Sequence, residues 1–64
     1  MNLKIFEFET LEQGMEKLKE AVTARNQMGG SLYWNIVNDD CLEIADRLYE
    51  MGGDKAEIVK ILIS

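Results

Sequence analysis

The sequence has no histidine and no proline, one cysteine and only two serines. Each shortage closes off a class of chemistry. Without histidine, the commonest general base and the commonest metal ligand are both missing. Cys41 has no second thiol for an intramolecular disulfide and no partners for a zinc site, and a single free cysteine points to a reducing compartment. Ser31 and Ser64 have no histidine to activate them, so the usual nucleophile and base pairs cannot be assembled. No run approaches the roughly 18 apolar residues of a membrane span, and MNLKIFEFE lacks the long apolar core of a signal peptide. The expectation is a soluble, cytoplasmic protein without enzymatic activity, with no catalytic or metal-ligating residues, no cofactor and no membrane partner.

What is present suits one small domain spanning residues 1–64, with 47% hydrophobic and 30% charged residues. A chain of this size buries only about 60% of the surface that its unfolded form exposes. Dense packing or self-association has to supply the rest of the stability, and a homo-oligomer is expected. The net charge is −5, and residues 31–64 hold most of it, with three basic and seven acidic side chains. Lysine and arginine are scattered singly rather than clustered, which argues against direct contact with nucleic acid. A protein with a basic surface becomes the expected partner.

Along the chain, LKIFEF (Leu3 to Phe8) reads as a strand. Thr10 stands three residues before Gln13 in a capping-box pattern, and Leu11, Gly14, Met15, Leu18, Ala21, Val22, Arg25 and Met28 follow at helical spacing. This predicts a helix from Leu11 to Met28, with Gly14 on its apolar face either admitting a neighbour closely or merely tolerated there. Leu32, Trp34 and Ile36 alternate with Tyr33, Asn35 and Val37, which predicts a second, half-buried strand. Asp40, with Glu43 three residues on, is read as opening another helix, whose apolar stripe is Cys41, Ile44, Ala45, Leu48 and Met51, widened by Leu42 and Tyr49.

These elements predict an α/β or α+β fold, a small βαβ unit followed by one helix and a C-terminal helix. The last helix rests on Asp54 and Glu57 as a capping pair, with Ile58, Val59, Ile61 and Leu62 facing inward. Its four β-branched residues within IVKILI keep open the alternative βαβαβ, with residues 57–63 as a third strand.

Both occurrences of MGG, at Met28 to Gly30 and Met51 to Gly53, are read as helix stops in which glycine takes a left-handed conformation. Neither fits a phosphate loop: the first leads into the expected strand, and Asp54 at the second would repel an anion. Cys41 is read as a buried structural thiol, since Asp39, Asp40 and Glu43 raise its pKa and no base accompanies it. NDDCLE lacks the ligand alternation and glycine of a calcium loop.

The more specific signal is Asp39, Glu43, Asp46 and Glu50, spaced by four, three and four residues. On a helix these line one side, and Asp54 and Glu57 extend the patch beyond the turn. Asp46 and Glu50 repel each other at i,i+4, which a helix face selected for stability alone would avoid. Beside them, one of Tyr33 and Trp34 is expected at the surface. Together these eight residues predict a partner-binding surface on a non-catalytic inhibitor or adaptor. Small acidic proteins that block larger ones have this format, including phage-encoded antagonists of nucleic-acid-processing enzymes that imitate a phosphate backbone. The alternative is a structural homo-oligomer whose aromatic surface is consumed by self-pairing.

Overall fold

A computed structural model describes residues 8–64. Among them all regular structure is helical: α1 (Leu11–Gln27), α2 (Tyr33–Glu50) and α3 (Lys55–Leu62). The expected α/β or α+β fold is therefore overturned, in its βαβ form and in its βαβαβ alternative. The first expected strand lies outside the described residues apart from Phe8, which is irregular and packs against the core.

Helix α1 forms where the sequence places it. Thr10 Oγ1 accepts from the Gln13 amide at 3.1 Å, and Gln13 Oε1 accepts from the Glu9 amide at 3.0 Å, one residue upstream of the usual return bond. Gly14, Leu18, Val22 and Arg25 form the buried stripe. Gly14 is a point of close approach: a Cβ there would come within 2.6 Å of Leu48 Cδ2 and also meet the ring of Phe8.

The second expected strand is the first turn and a half of α2. Its period-2 pattern is ambiguous because Leu32 to Val37 carries apolar residues at both parities. Trp34, Val37, Cys41, Ile44, Ala45 and Leu48 instead make one helical stripe that runs unbroken across Asp39 and Asp40. Extending a helix adds one hydrogen bond per residue, whereas a strand needs a partner to satisfy its backbone. Ser31 starts the turn, with its Oγ accepting from the Tyr33 amide at 3.0 Å and its carbonyl accepting from the Trp34 amide at 3.1 Å. Asp40 consequently lies inside the helix and caps nothing, and Cys41 sits at mid-helix rather than in a first turn.

Residues 55–62 are helical, so the third strand is also corrected. Asp54 Oδ1 accepts from the Ala56 amide at 2.9 Å and fixes the start of α3. Ile58 is fully buried, Ile61 and Leu62 are half-buried, and Val59, expected inside, is exposed.

The two MGG words stop helices differently. After α2, Gly52 takes φ +90°, the Gly53 amide donates to the Leu48 carbonyl at 2.8 Å, and the Gly52 amide donates to the Tyr49 carbonyl at 3.1 Å, a Schellman turn. After α1 the chain turns two residues later: the Ser31 amide donates to the Met28 carbonyl at 2.9 Å, with Gly30 at φ +83°.

α1 and α2 are antiparallel neighbours, with Gly14 beside Leu48 at one end and Arg25 beside Asn38 at the other. Shorter α3 packs across both. Leu18, Val22, Cys41, Ile44, Ala45, Leu48 and Ile58 form the core. The molecule is only 14 Å thick across its Cα positions, about one interhelix spacing plus the width of a single helix's Cα cylinder, so the helices keep an outward side.

Arg25 joins all three helices. It is 8% exposed and donates to Asn26 Oδ1, to Asn38 Oδ1 at 3.1 Å and to the Leu62 carbonyl at 2.8 Å. Its guanidinium also lies 5.6 Å from the centroid of the Trp34 ring.

Candidate functional site

At 100° per residue, Asp39, Glu43, Asp46 and Glu50 fall within about 60° of one another on α2, opposite the buried Cys41, Ile44, Ala45 and Leu48. All four acids are exposed. They occupy a line about 16 Å long, or one carboxylate per about 5.5 Å. The expected acidic face of α2 is thus brought together by the structure, on a helix that begins seven residues before the expected start at Asp40.

Asp54 and Glu57 are exposed but belong to α3, beyond the Schellman turn. Asp54 has its own structural task as the N-cap. Glu57 stands in the first turn of α3, where the helix dipole favours a negative charge. Local helix stability accounts for both acids.

Of the aromatic pair, Tyr33 is 66% exposed, whereas Trp34 is half-buried under Arg25. Adjacent residues on a helix differ by about 100° rather than 180°, so neither faces wholly in or wholly out. Tyr33 has apolar company: Leu32 is 85% exposed and Ile36 is 58% exposed. The outward side of α2 therefore begins apolar and continues acidic. Among the described residues this side stays exposed, opposite the Cys41, Ile44, Ala45 and Leu48 stripe through which α2 packs on the core.

The strand reading leaves Ile36 out of the expected binding surface and ties Leu32 to the same face as Trp34, whereas on the helix Leu32 and Ile36 are both exposed and Trp34 is half-buried. A signal for them was present: Asn26 to Asn38 contains no charged residue, in a chain where 30% of residues are charged.

Cys41 is buried and free, and burial pushes its thiol above the ordinary value of 9.0; nearby Arg25 opposes the rise and Asp40 adds to it. Among the described residues, no cluster of three or more His, Cys, Asp or Glu side chains could hold a metal ion, and no helix is long and apolar enough to cross a membrane. Surface depressions occur along α1, one of them lined by Lys17, Glu20, Ala21 and Ile44. No protein-family model, no curated protein and no solved structure matches this chain.

Proposed function

We propose that this chain is a non-catalytic protein-binding module that docks the outward side of α2 on a basic surface of a larger protein, as an inhibitor or adaptor. The line of four exposed carboxylates carries this reading. Like charges at positions 46 and 50 cost helix stability, and with Arg47 the one cation beside them, placed to pair with Glu43 at i,i+4, the line keeps a net negative charge that suits a basic partner. Tyr33 and Ile36 at the start of the same helix supply the apolar contact that a purely ionic surface lacks. One carboxylate per about 5.5 Å is sparser than one phosphate per 3.4 Å along a DNA strand. A basic patch on a protein surface suits that spacing better than a groove shaped for phosphates, so the narrower form, an antagonist imitating nucleic acid, ranks below the general one.

The test uses a labelled Lys- and Arg-rich helical peptide, titrated with the chain at about 50 mM and about 300 mM salt. Binding weakens as salt rises and is lost when Glu43, Asp46 and Glu50 are all changed to Lys. Affinity indifferent to both changes removes the proposal.

Self-association is the second reading. It is favoured by the apolar side chains that remain exposed where α2 begins.

A further inference from the structure

We propose that the groove between α1 and α3 binds an amphiphilic organic anion, with Lys19 and Lys60 holding its acid group and Val22 and Ile61 beneath its apolar part. The site shares no residue with the acidic line of α2 and goes beyond the docking reading.

The two helices run side by side in the same direction, with Gly53 beside Leu11 at one end and Leu62 beside Arg25 at the other. Toward the second end they leave a groove of about 420 Å³ between Lys19, Val22, Thr23 and Asn26 on α1 and Lys60 and Ile61 on α3. That volume lies in the range of small-molecule sites.

Charge sets this groove apart. The chain holds twelve acidic residues against seven basic ones, and four other depressions on its surface each include Glu9, Glu16 or Glu20 in their lining. Among the described residues that line this one, the charged side chains are both lysines. A third cation stands behind them. Arg25 is buried and donates to Asn26, in the lining, as well as to Asn38 and the Leu62 carbonyl, all of them neutral oxygens. Neutral dipoles offset a buried cation only in part, so an anion in the adjacent groove gains from it.

The other polar groups here are already engaged. The Thr23 hydroxyl donates to the Lys19 carbonyl at 2.9 Å, the Ser64 hydroxyl to the Ile61 carbonyl at 2.7 Å, and Asn26 Nδ2 to the Ser64 carbonyl at 3.0 Å. With Arg25 on Leu62, these bonds cover last-turn carbonyls of α3 that would otherwise repel an anion. What remains for a ligand is the pair of exposed ammonium groups. Glu16 and Glu57 stand about one turn before Lys19 and Lys60, and Glu20 is turned about 100° from Lys19, so the acid group seats toward Asn26.

The floor selects an organic anion. Val22 is buried and Ile61 half-buried, and an inorganic ion would leave that apolar surface uncovered. An open groove with two exposed lysines gives weak binding, with a dissociation constant of about 1 mM for a ligand of about a dozen heavy atoms.

The test follows amide chemical shifts of the chain as decanoate is added, with decyl phosphate, decanol and inorganic phosphate in parallel. Decanoate shifts Val22, Thr23, Asn26 and Ile61 saturably, and less tightly at about 300 mM than at about 50 mM salt. Whichever of decanoate and decyl phosphate binds more tightly identifies the acid group preferred. Lys19→Gln and Lys60→Gln each weaken binding by about threefold, and Thr23→Glu, which sets a carboxylate in the lining, by about tenfold. All three sites are exposed, so helical circular dichroism is unchanged. Glu43→Lys leaves decanoate binding unchanged. Decanol binding as tightly as decanoate, inorganic phosphate giving the same shifts at the same concentration, shifts centred away from α1 and α3, or indifference to the lysine variants overturns the proposal. Loss of basic-peptide binding with decanoate binding intact overturns the acidic-face proposal alone.

Discussion

The Arg25 guanidinium donates to the Leu62 carbonyl at 2.8 Å, joining the last turn of α1 to the last turn of α3 across 37 residues of chain. An eight-residue helix is too short to persist alone in water. Contacts along its length hold it, among them the Asp54 cap at its start, Ile58 in the core with Ile61 and Leu62 packed beside it, and a cation at its carbonyl end, where the dipole favours one.

Arg25→Lys keeps the charge and loses the planar fork that serves Asn26, Asn38 and Leu62 together. A loss of about 1–3 kcal/mol in stability is expected from urea unfolding. Amide exchange in α3 accelerates more than in α1. Equal acceleration in both helices would show that the bond to Leu62 does not anchor α3.

Gly14→Ala ordinarily gains about 1 kcal/mol inside a helix. Here the new methyl meets Leu48 and Phe8 at well under 3 Å, and overpacking of this kind costs about 1–3 kcal/mol. Net destabilisation is expected in thermal unfolding, partly relieved by adding Phe8→Leu. A Gly14→Ala variant more stable than the parent would mean that the approach relaxes freely.

Cys41 gives stability a pH dependence. Its folded pKa is raised by burial, so between the unfolded and folded values the native state holds a proton that the unfolded chain has released. The contribution is complete below the unfolded value near 9.0 and is lost as pH climbs through the folded value. Urea midpoints at about pH 8 and about pH 10 should fall further for the parent chain than for Cys41→Ala. Identical falls in the two proteins contradict this.

Glu50→Lys removes repulsion with Asp46 and places a cation in the last turn of α2. A gain of about 0.3–1 kcal/mol is expected at low salt, shrinking as salt is added. A loss of stability would indicate that Glu50 has a structural partner, which would weaken the reading of the acidic line as a docking surface.

The parts of the fold legible in the sequence are those where independent signals agree. α1 has a Thr10 cap, a continuous 3.6-residue stripe and a glycine turn after it, all supporting the same helix. The acidic line was legible for a similar reason, because four-three-four spacing has meaning only on a helix and residues 41–50 are helical on other grounds. Leu32 to Val37 failed because aromatic and β-branched residues at both parities satisfy two periods. Asp39 and Asp40 then resembled a helix start, although the apolar stripe passes straight through them. Arg25 could be placed on the inner face of α1, but its partners Asn38 and Leu62 come from other helices, so its role depends on packing that no local pattern encodes. The uncharged run from Asn26 to Asn38 was visible throughout. It acquires meaning only when Leu32 and Ile36 are known to remain at the surface.

The order of the helices also bears on how quickly the chain reaches this state. α1 and α2 pair across a five-residue connection, and α2 and α3 across four, so most of the structure can form between segments close in sequence. Chains of this kind fold in microseconds to milliseconds. The α1–α3 contacts are the exception, among them the bonds from Arg25 to Leu62 and from Asn26 to Ser64, each closing a long loop that includes both other connections. They are expected to form after the α1–α2 pair, with Trp34, the sole tryptophan and a neighbour of Arg25, reporting them optically. A temperature jump followed by tryptophan fluorescence should resolve a phase that Ile58→Val, on α3, alters chiefly through the unfolding rate, the mark of contacts made after the rate-limiting step.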